Sequence, residues 1–112
     1  IDAKRDWGHA KDYVKAMWLM LQQKKPSDYV IGTGKMHSVK EFAKLAFNHI
    51  GLDYRKYIVI KKNLLRPSEV ETLQADYTKA KKELKWEPDV SFEKLVKDMV
   101  ESDINFVSKS GY

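Results

Sequence analysis

Apolar residues recur at helical spacing in two long stretches of the chain. The first stretch predicts a helix over residues 12–23, and the second predicts a helix from Phe92 to about Val107. Two lysines and a proline at positions 24–26 suit the end of the first helix, because cations favour a helix C-terminus and proline stops it. The predicted buried positions are Tyr13, Ala16, Met17, Leu19, Met20 and Leu21 in the first helix, and Leu95, Val96, Met99 and Val100 in the second.

Two further helices are predicted from their end residues. Ser38 followed three positions later by Glu41 has the pattern of a capping box, which predicts a helix over residues 39–49. Gly51 stands where a glycine C-cap belongs. Asp76 suits the N-cap of a short helix over 77–84, and Ser91 suits the N-cap of the last helix.

Short runs rich in β-branched and aromatic residues predict strands at 29–31 and 57–60, and Leu73 suits a short edge segment. Residues 32–34, Gly-Thr-Gly, predict a tight turn, residues 63–69 an irregular stretch around a proline, and residues 86–89 another turn. Two or three short strands do not make a free-standing sheet. The expected fold class is therefore α/β, or α+β for the isolated piece, with about four helices.

Composition narrows the possible functions of the 112 residues. Cysteine is absent, which excludes disulfides and thiolate chemistry. The net charge of +5 comes with lysine pairs that are interspersed with acidic residues, as on solvated helix faces, so nucleic acid is not the expected partner. No apolar run is long enough to suggest a membrane span. The histidines at positions 9, 37 and 49 lack the spacing of a metal site.

Four motifs in order along the chain resemble the GDP-mannose 4,6-dehydratase family, whose members are extended short-chain dehydrogenases/reductases. The longest is R-D-W-G-x-A-x-D-Y-V-x-A-M-W-L-M-L-Q over residues 5–22. The others are G-T-G-x-x-H-S-V-x-E-F over 32–42, R-P-x-E-V over 66–70 and K-A-K-x-x-L-x-W-x-P over 79–88. The Arg-Asp-Trp element is shared by many nucleotide-sugar enzymes, whereas its extension through Gln22 points to the GDP-mannose branch.

The resemblance implies that residues 1–107 are the C-terminal substrate-binding region of a larger lyase, followed by a frayed tail over 108–112. The chain starts without Met and has no G-x-x-G-x-x-G loop. The N-terminal Rossmann domain, which would bind NADP and carry the catalytic Tyr and Lys, is therefore expected outside it, and this chain alone should be inactive. The family also implies a cytoplasmic homo-oligomer, a dimer or tetramer, that converts GDP-mannose to GDP-4-keto-6-deoxymannose with loss of water.

The same resemblance implies three substrate-binding residues. Arg5 and Arg66 would reach the diphosphate of GDP-mannose, and Glu69 would hold a ribose hydroxyl. The chemistry is reasonable in itself, because guanidinium groups bind phosphate oxygens in pairs and a carboxylate accepts hydroxyl protons. The alternative for Arg66 and Glu69 is an ion pair on a surface loop. No catalytic, cofactor-binding or metal-binding residue is expected in this chain.

The remaining polar and aromatic candidates are interpreted as structural. Asp6 would orient Arg5, Asp12 would favour the start of the first helix, and the three tryptophans at 7, 18 and 86 would pack in the core. The two Tyr-x-x-x-Lys strings, at 57–61 and 77–81, are not expected to be catalytic.

Two other functions stay open from the sequence. One is a sister nucleotide-sugar reductase or epimerase, and the other is a non-enzymatic module that binds a nucleotide or a protein partner.

Overall fold

The computed structural model of the chain describes residues 1–61, 63 and 72–110, with the side chain of residue 110 excepted. Within these residues the elements are four helices, one short 3-10 turn at Tyr54–Lys56 and two short strands. This agrees with the predicted fold class. The helices are α1 (Ala10–Leu21), α2 (Val39–His49), α3 (Thr78–Leu84) and α4 (Phe92–Ser110), and the strands are β1 (Lys4–Arg5) and β2 (His37–Ser38).

The helices form where their end residues predict them. The Ser38 hydroxyl accepts the Glu41 backbone N–H, and the Glu41 carboxylate accepts the Ser38 N–H, so the capping box of α2 is complete. Gly51 has a φ of +76°, as a glycine C-cap requires. Helix α3 begins one residue later than predicted, so Tyr77 and not Asp76 is its N-cap residue, and the Asp76 carboxylate accepts the Thr78 N–H at 3.0 Å from one position further back. Helix α1 begins and ends two residues earlier than predicted.

The predicted strands at 29–31 and 57–60 are wrong, as is the edge segment at Leu73. A strand needs a hydrogen-bonding partner, and the described residues give these runs none. Tyr57 instead follows the 3-10 turn and stacks on Phe47, with ring centroids 5.4 Å apart. The strands that do form, β1 and β2, are antiparallel, with Lys4 opposite Ser38 and Arg5 opposite His37.

Trp86 is the centre of the core. It is 1% exposed and packs with Ala16 of α1 and Ala80 and Leu84 of α3. Its indole N–H donates to the Asp12 carbonyl at 2.9 Å. A second buried group, Phe92, Leu95 and Val96, lies at the start of α4, which packs against α2.

Asp12 joins α1 to the turn before α4. Its carboxylate is buried in the first turn of α1 and accepts the backbone N–H groups of Asp89 and Val90, both at 3.1 Å. Asp12 lies at the start of the helix, as predicted, but the sequence analysis missed its hydrogen bonds to residues 89 and 90. Burial, and then the charges of Asp6 and Asp12, raise the pKa of Tyr13 above its ordinary value, so its phenol stays protonated.

One face of α1 is exposed rather than buried. We call Val14, Met17, Trp18 and Leu21 the α1 apolar stripe, and these side chains are between 58% and 81% exposed. The predictions that Met17, Trp18 and Leu21 are buried are wrong for this chain, as is the same prediction for Met99. Helical spacing identifies an apolar face but does not say what covers it.

The last helix is longer than predicted. Helix α4 continues to Ser110, so the tail expected to be frayed from residue 108 is helical over 108–110. Residues 111 and 112 lie outside the described part. Among the described residues, none of the helices is both long and apolar enough to cross a membrane.

Candidate functional site

Arg5 lies at the end of β1, where the chain leaves the sheet. The side chain is half-buried, and its Nη1 donates to the Lys4 carbonyl at 2.7 Å. Pairing of Arg5 with His37 fixes the backbone on one side. Trp7 fixes it on the other, because its indole N–H donates to the His37 carbonyl at 2.9 Å and its ring packs 4.9 Å from Phe42.

Asp6 holds two other segments beside Arg5. Its carboxylate accepts four hydrogen bonds: from the backbone N–H of Thr33 at 2.8 Å, the Thr33 hydroxyl at 2.7 Å, the Gly34 N–H at 2.8 Å and the Ala75 N–H at 3.2 Å. The Gln74 amide adds a link to the Gly34 carbonyl. Residues 5 and 6, 33 and 34, and 74 and 75 therefore form one hydrogen-bonded unit.

The Gly-Thr-Gly segment at 32–34 bends at both glycines rather than forming the predicted hydrogen-bonded turn, and the N–H groups of Thr33 and Gly34 bind the Asp6 carboxylate. Gly34 has a φ of +76°, which favours glycine there. A side chain at Gly32 would collide with the Ala75 methyl group, so the two segments meet without space between them. The N–H groups of Thr33 and Gly34 that could have held a phosphate already have an internal anion.

His37 pairs with Arg5 and lies next to it. Its ring stacks on Phe92 at a centroid distance of 3.9 Å, and Nδ1 lies 3.0 Å from a Glu41 carboxylate oxygen. This hydrogen bond, and then the N–H of Ser38, hold the pKa of Glu41 below its ordinary value of 4.5.

The two other predicted binding residues, Arg66 and Glu69, lie outside the described residues. The described chain resumes at residue 72, three positions after Glu69 and three before Ala75, whose N–H binds Asp6. Of the three predicted binding residues, the structure therefore describes Arg5. It also describes Ala75, six positions after Glu69, which is hydrogen-bonded to Asp6.

The remaining histidines pair with carboxylates between helices. His49 Nε2 lies 3.1 Å from Glu101 of α4, and His9 Nε2 lies 4.0 Å from Asp98. Within the described ranges there is no group of three or more acidic or histidine side chains that could hold a metal ion.

The two Tyr-x-x-x-Lys strings have structural surroundings. Tyr77 packs edge-on against Trp86 at 5.7 Å, while Lys81 Nζ lies 3.7 Å from Glu87. Tyr57 stacks on Phe47.

The sequence analysis missed the hydrogen-bond partners of Asp6. It was expected to orient Arg5, and the structure shows its carboxylate bonded to backbone far along the chain, up to 69 positions away. The Arg-Asp-Trp motif marks the residue as unusual, but no local pattern indicates which amides it binds.

Solved structures of nucleotide-sugar enzymes share this fold. The UDP-glucose 4-epimerase of Thermotoga maritima, solved with UDP-glucose, matches with a TM-score of 0.83 and 34% identity over 95% of this chain and 33% of its own. The UDP-glucose 4-epimerase of Bifidobacterium longum, solved with NAD+ and UDP, matches with a TM-score of 0.74 and 28% identity over 96% of this chain and 30% of its own. The class is thus defined: the chain has the fold of one portion of an extended short-chain dehydrogenase/reductase.

The sequence narrows the class to one family. The GDP-mannose 4,6 dehydratase family model matches residues 1–99. GDP-mannose 4,6 dehydratase 1 of Arabidopsis thaliana is 51% identical over 109 residues, which cover 97% of this chain and 30% of that protein. This chain belongs to the GDP-mannose 4,6 dehydratase family, which confirms the resemblance of its motifs, and it spans about a third of its relative's length.

Proposed function

We propose that the protein carrying this chain converts GDP-mannose to GDP-4-keto-6-deoxymannose with loss of water, using bound NADP. The observation that supports this most strongly is the family match, which runs through nearly the whole chain at 51% identity to a named GDP-mannose 4,6 dehydratase. A sister epimerase or reductase has less support, because the epimerase structures are less similar in sequence.

The part of this chain in the reaction is to bind the nucleotide diphosphate. Arg5, half-buried at the end of β1, would bind phosphate oxygens, and a second guanidinium, that of Arg66, would complete the clamp. Glu69 would accept hydrogen bonds from a ribose hydroxyl. The support from the structure is the fixed backbone on both sides of Arg5, because a rigid base lowers the cost of ordering the side chain when substrate binds.

The residues of this chain do not fit a nicotinamide dinucleotide. Its one Gly-x-Gly segment has its amides bound to Asp6, and no dinucleotide-binding glycine pattern occurs in the sequence. We therefore assign the cofactor, NADP, and the catalytic residues to the part of the parent protein outside this chain. The chain alone should show no turnover.

An assay of the complete parent protein tests the proposal. The purified protein is incubated with GDP-mannose and NADP, and the nucleotide sugar is followed by mass spectrometry and by the absorbance of the 4-keto sugar in alkali. We expect a product lighter by one water. A product of unchanged mass would indicate an epimerase, and no conversion by folded protein with bound cofactor would contradict the proposal.

A further inference from the structure

The hydrogen bonds of Asp6 join parts of the chain that have no regular structure of their own. Its four donors lie on Thr33, Gly34 and Ala75, all outside helices and strands. The core around Trp86 has its own hydrogen bonds, which do not involve Asp6. The Trp86 indole donates to the Asp12 carbonyl, and the Asp12 carboxylate accepts the N–H groups of Asp89 and Val90. Asp6 therefore sets the placement of loops more than it holds the helices together.

These loops flank the residues that would bind substrate. Arg5 directly precedes Asp6, so a shift of the Asp6 backbone would move the Arg5 guanidinium. Ala75 is six positions after Glu69, and the link between Gln74 and Gly34 fastens the same segment a second time. The Asp6 carboxylate thus holds the backbone beside Arg5 against residues 33 and 34 and against Ala75.

We propose that Asp6 is a positioning residue for Arg5 in the diphosphate-binding site, acting through the backbone that it fixes beside Arg5 and without touching the substrate. This inference rests on the proposed function. The nucleotide diphosphate is remote from the sugar carbons that react, so its contacts are equally strong in the ground state and in the transition state. Loss of positioning should therefore raise KM and leave kcat nearly unchanged.

The test is Asp6→Asn in the complete parent enzyme. Asparagine keeps the size of the side chain but turns one acceptor oxygen into a donor, which would face the backbone N–H groups that now bind it. We expect KM for GDP-mannose and the dissociation constant of GDP, measured by calorimetry, to rise together by about tenfold, with kcat within about twofold of wild type.

Asp12→Asn is the matched control. Asp12, like Asp6, is an aspartate that accepts backbone N–H groups; it is buried, whereas Asp6 is only partly buried, and its partners lie just before α4. We expect Asp12→Asn to lower the melting temperature and to leave both KM and the GDP dissociation constant unchanged. Equal increases in the two variants would contradict a specific role for Asp6.

Thr33→Val serves if Asp6→Asn does not fold. It removes the hydroxyl that donates to Asp6 at 2.7 Å and keeps the shape of the side chain. We expect a rise in the GDP dissociation constant of about threefold, smaller than that of Asp6→Asn because the other three hydrogen bonds remain. An unchanged value would overturn the inference.

Arg5→Ala separates this inference from the proposed function. If Arg5→Ala weakens GDP binding while Asp6→Asn and Thr33→Val do not, the positioning role is wrong and the binding site stands. If Arg5→Ala has no effect, the assigned contact is wrong and the positioning role is wrong with it. Because GDP binding is measured directly, the comparison holds even where the parent enzyme does not turn over GDP-mannose.

Discussion

Lys85 adopts a backbone conformation that suits glycine better than lysine. It caps the C-terminus of α3 with a φ of +57° and a ψ of +32°, in the left-handed region, and its N–H donates to the Ala80 carbonyl. A side chain with a Cβ is strained there by about 1 kcal/mol. The core residue Trp86 follows immediately, so this conformation lets the chain reverse into the core.

We expect Lys85→Gly to stabilise the protein by about 0.5–1 kcal/mol, because glycine relieves the strain and its extra freedom in the unfolded state offsets only part of that gain. Thermal unfolding would show this as a higher melting temperature. Lys82→Gly, within α3, is the control and should destabilise by about 1 kcal/mol. A lower melting temperature for Lys85→Gly would contradict the strain argument.

Arg66→Ala should weaken substrate binding without changing stability, whereas Trp86→Ala should lower stability. In the complete enzyme we expect KM for GDP-mannose to rise by more than tenfold, because a charged hydrogen-bonding partner of the diphosphate is lost, while the melting temperature stays within about 2 °C. Trp86→Ala is the opposite case, since it removes a side chain that is 1% exposed and should cost about 3–5 kcal/mol of stability. A normal KM in Arg66→Ala would remove it from the site.

At the scale of elements, helix α2 begins with a capping box and with a hydrogen bond between His37 and Glu41. Hydrogen bonds from His37, and secondly from the Ser38 backbone, lower the pKa of Glu41 below 4.5. Because the folded-state pKa is below the unfolded value, the ionised carboxylate stabilises the fold above about pH 4.5, and this contribution is lost as the pH falls through the folded-state pKa. The contribution is below about 1 kcal/mol, since the Glu41 side chain is 49% exposed.

We expect Glu41→Gln to be less stable than wild type at pH 7, and the difference to shrink as the pH is lowered below 4.5. Urea unfolding at a series of pH values measures this. Ser38→Ala is the comparison: it mainly removes the hydroxyl that accepts the Glu41 N–H, which does not titrate, and with it a longer 3.4 Å hydrogen bond to the Glu41 carboxylate, so it should cost about 1 kcal/mol with a weaker dependence on pH than Glu41→Gln. A constant difference between Glu41→Gln and wild type would refute the assigned pKa effect.

The elements also show what the sequence could predict. The starts of α2 and α4 follow from Ser38 and Ser91, because a cap acts on amides two or three residues away, and Asp76 locates the start of α3 to within one residue. The strand at 29–31 was predicted from residue type. A strand also needs backbone hydrogen bonds to a second strand, which can come from anywhere in the chain and which the local sequence does not reveal. The Asp6 site was unpredictable for the same reason, since its donors lie 27 to 69 positions away.

At the scale of the whole molecule, the α1 apolar stripe is a large exposed apolar surface for a chain of 112 residues. Trp18 is 60% exposed and Leu21 is 81% exposed, beside Val14 and Met17 on the same helix. Contiguous apolar surface of this kind favours association.

We expect the double variant Trp18→Lys/Leu21→Lys of the 112-residue chain to remain monomeric at concentrations where the unsubstituted 112-residue chain aggregates. Its melting temperature should change little. Light scattering and thermal unfolding measure the two properties. Ala16→Lys is the control, because Ala16 is fully buried on the opposite side of α1, and we expect it to unfold the chain. Equal loss of melting temperature in the two variants would show that the stripe is part of the folded core.

The contact between Gly32 and Ala75 has a consequence for how this chain can change over generations. A methyl group at position 32 would collide with that of Ala75 and would also lie only 3.1 Å from an Asp6 carboxylate oxygen, so a side chain at position 32 requires a smaller residue at 75 and a small shift of Asp6. A substitution acceptable in one descendant is then harmful in another that differs at the opposite position. Which residues position 32 tolerates therefore depends on what stands at position 75, 43 residues later in the sequence.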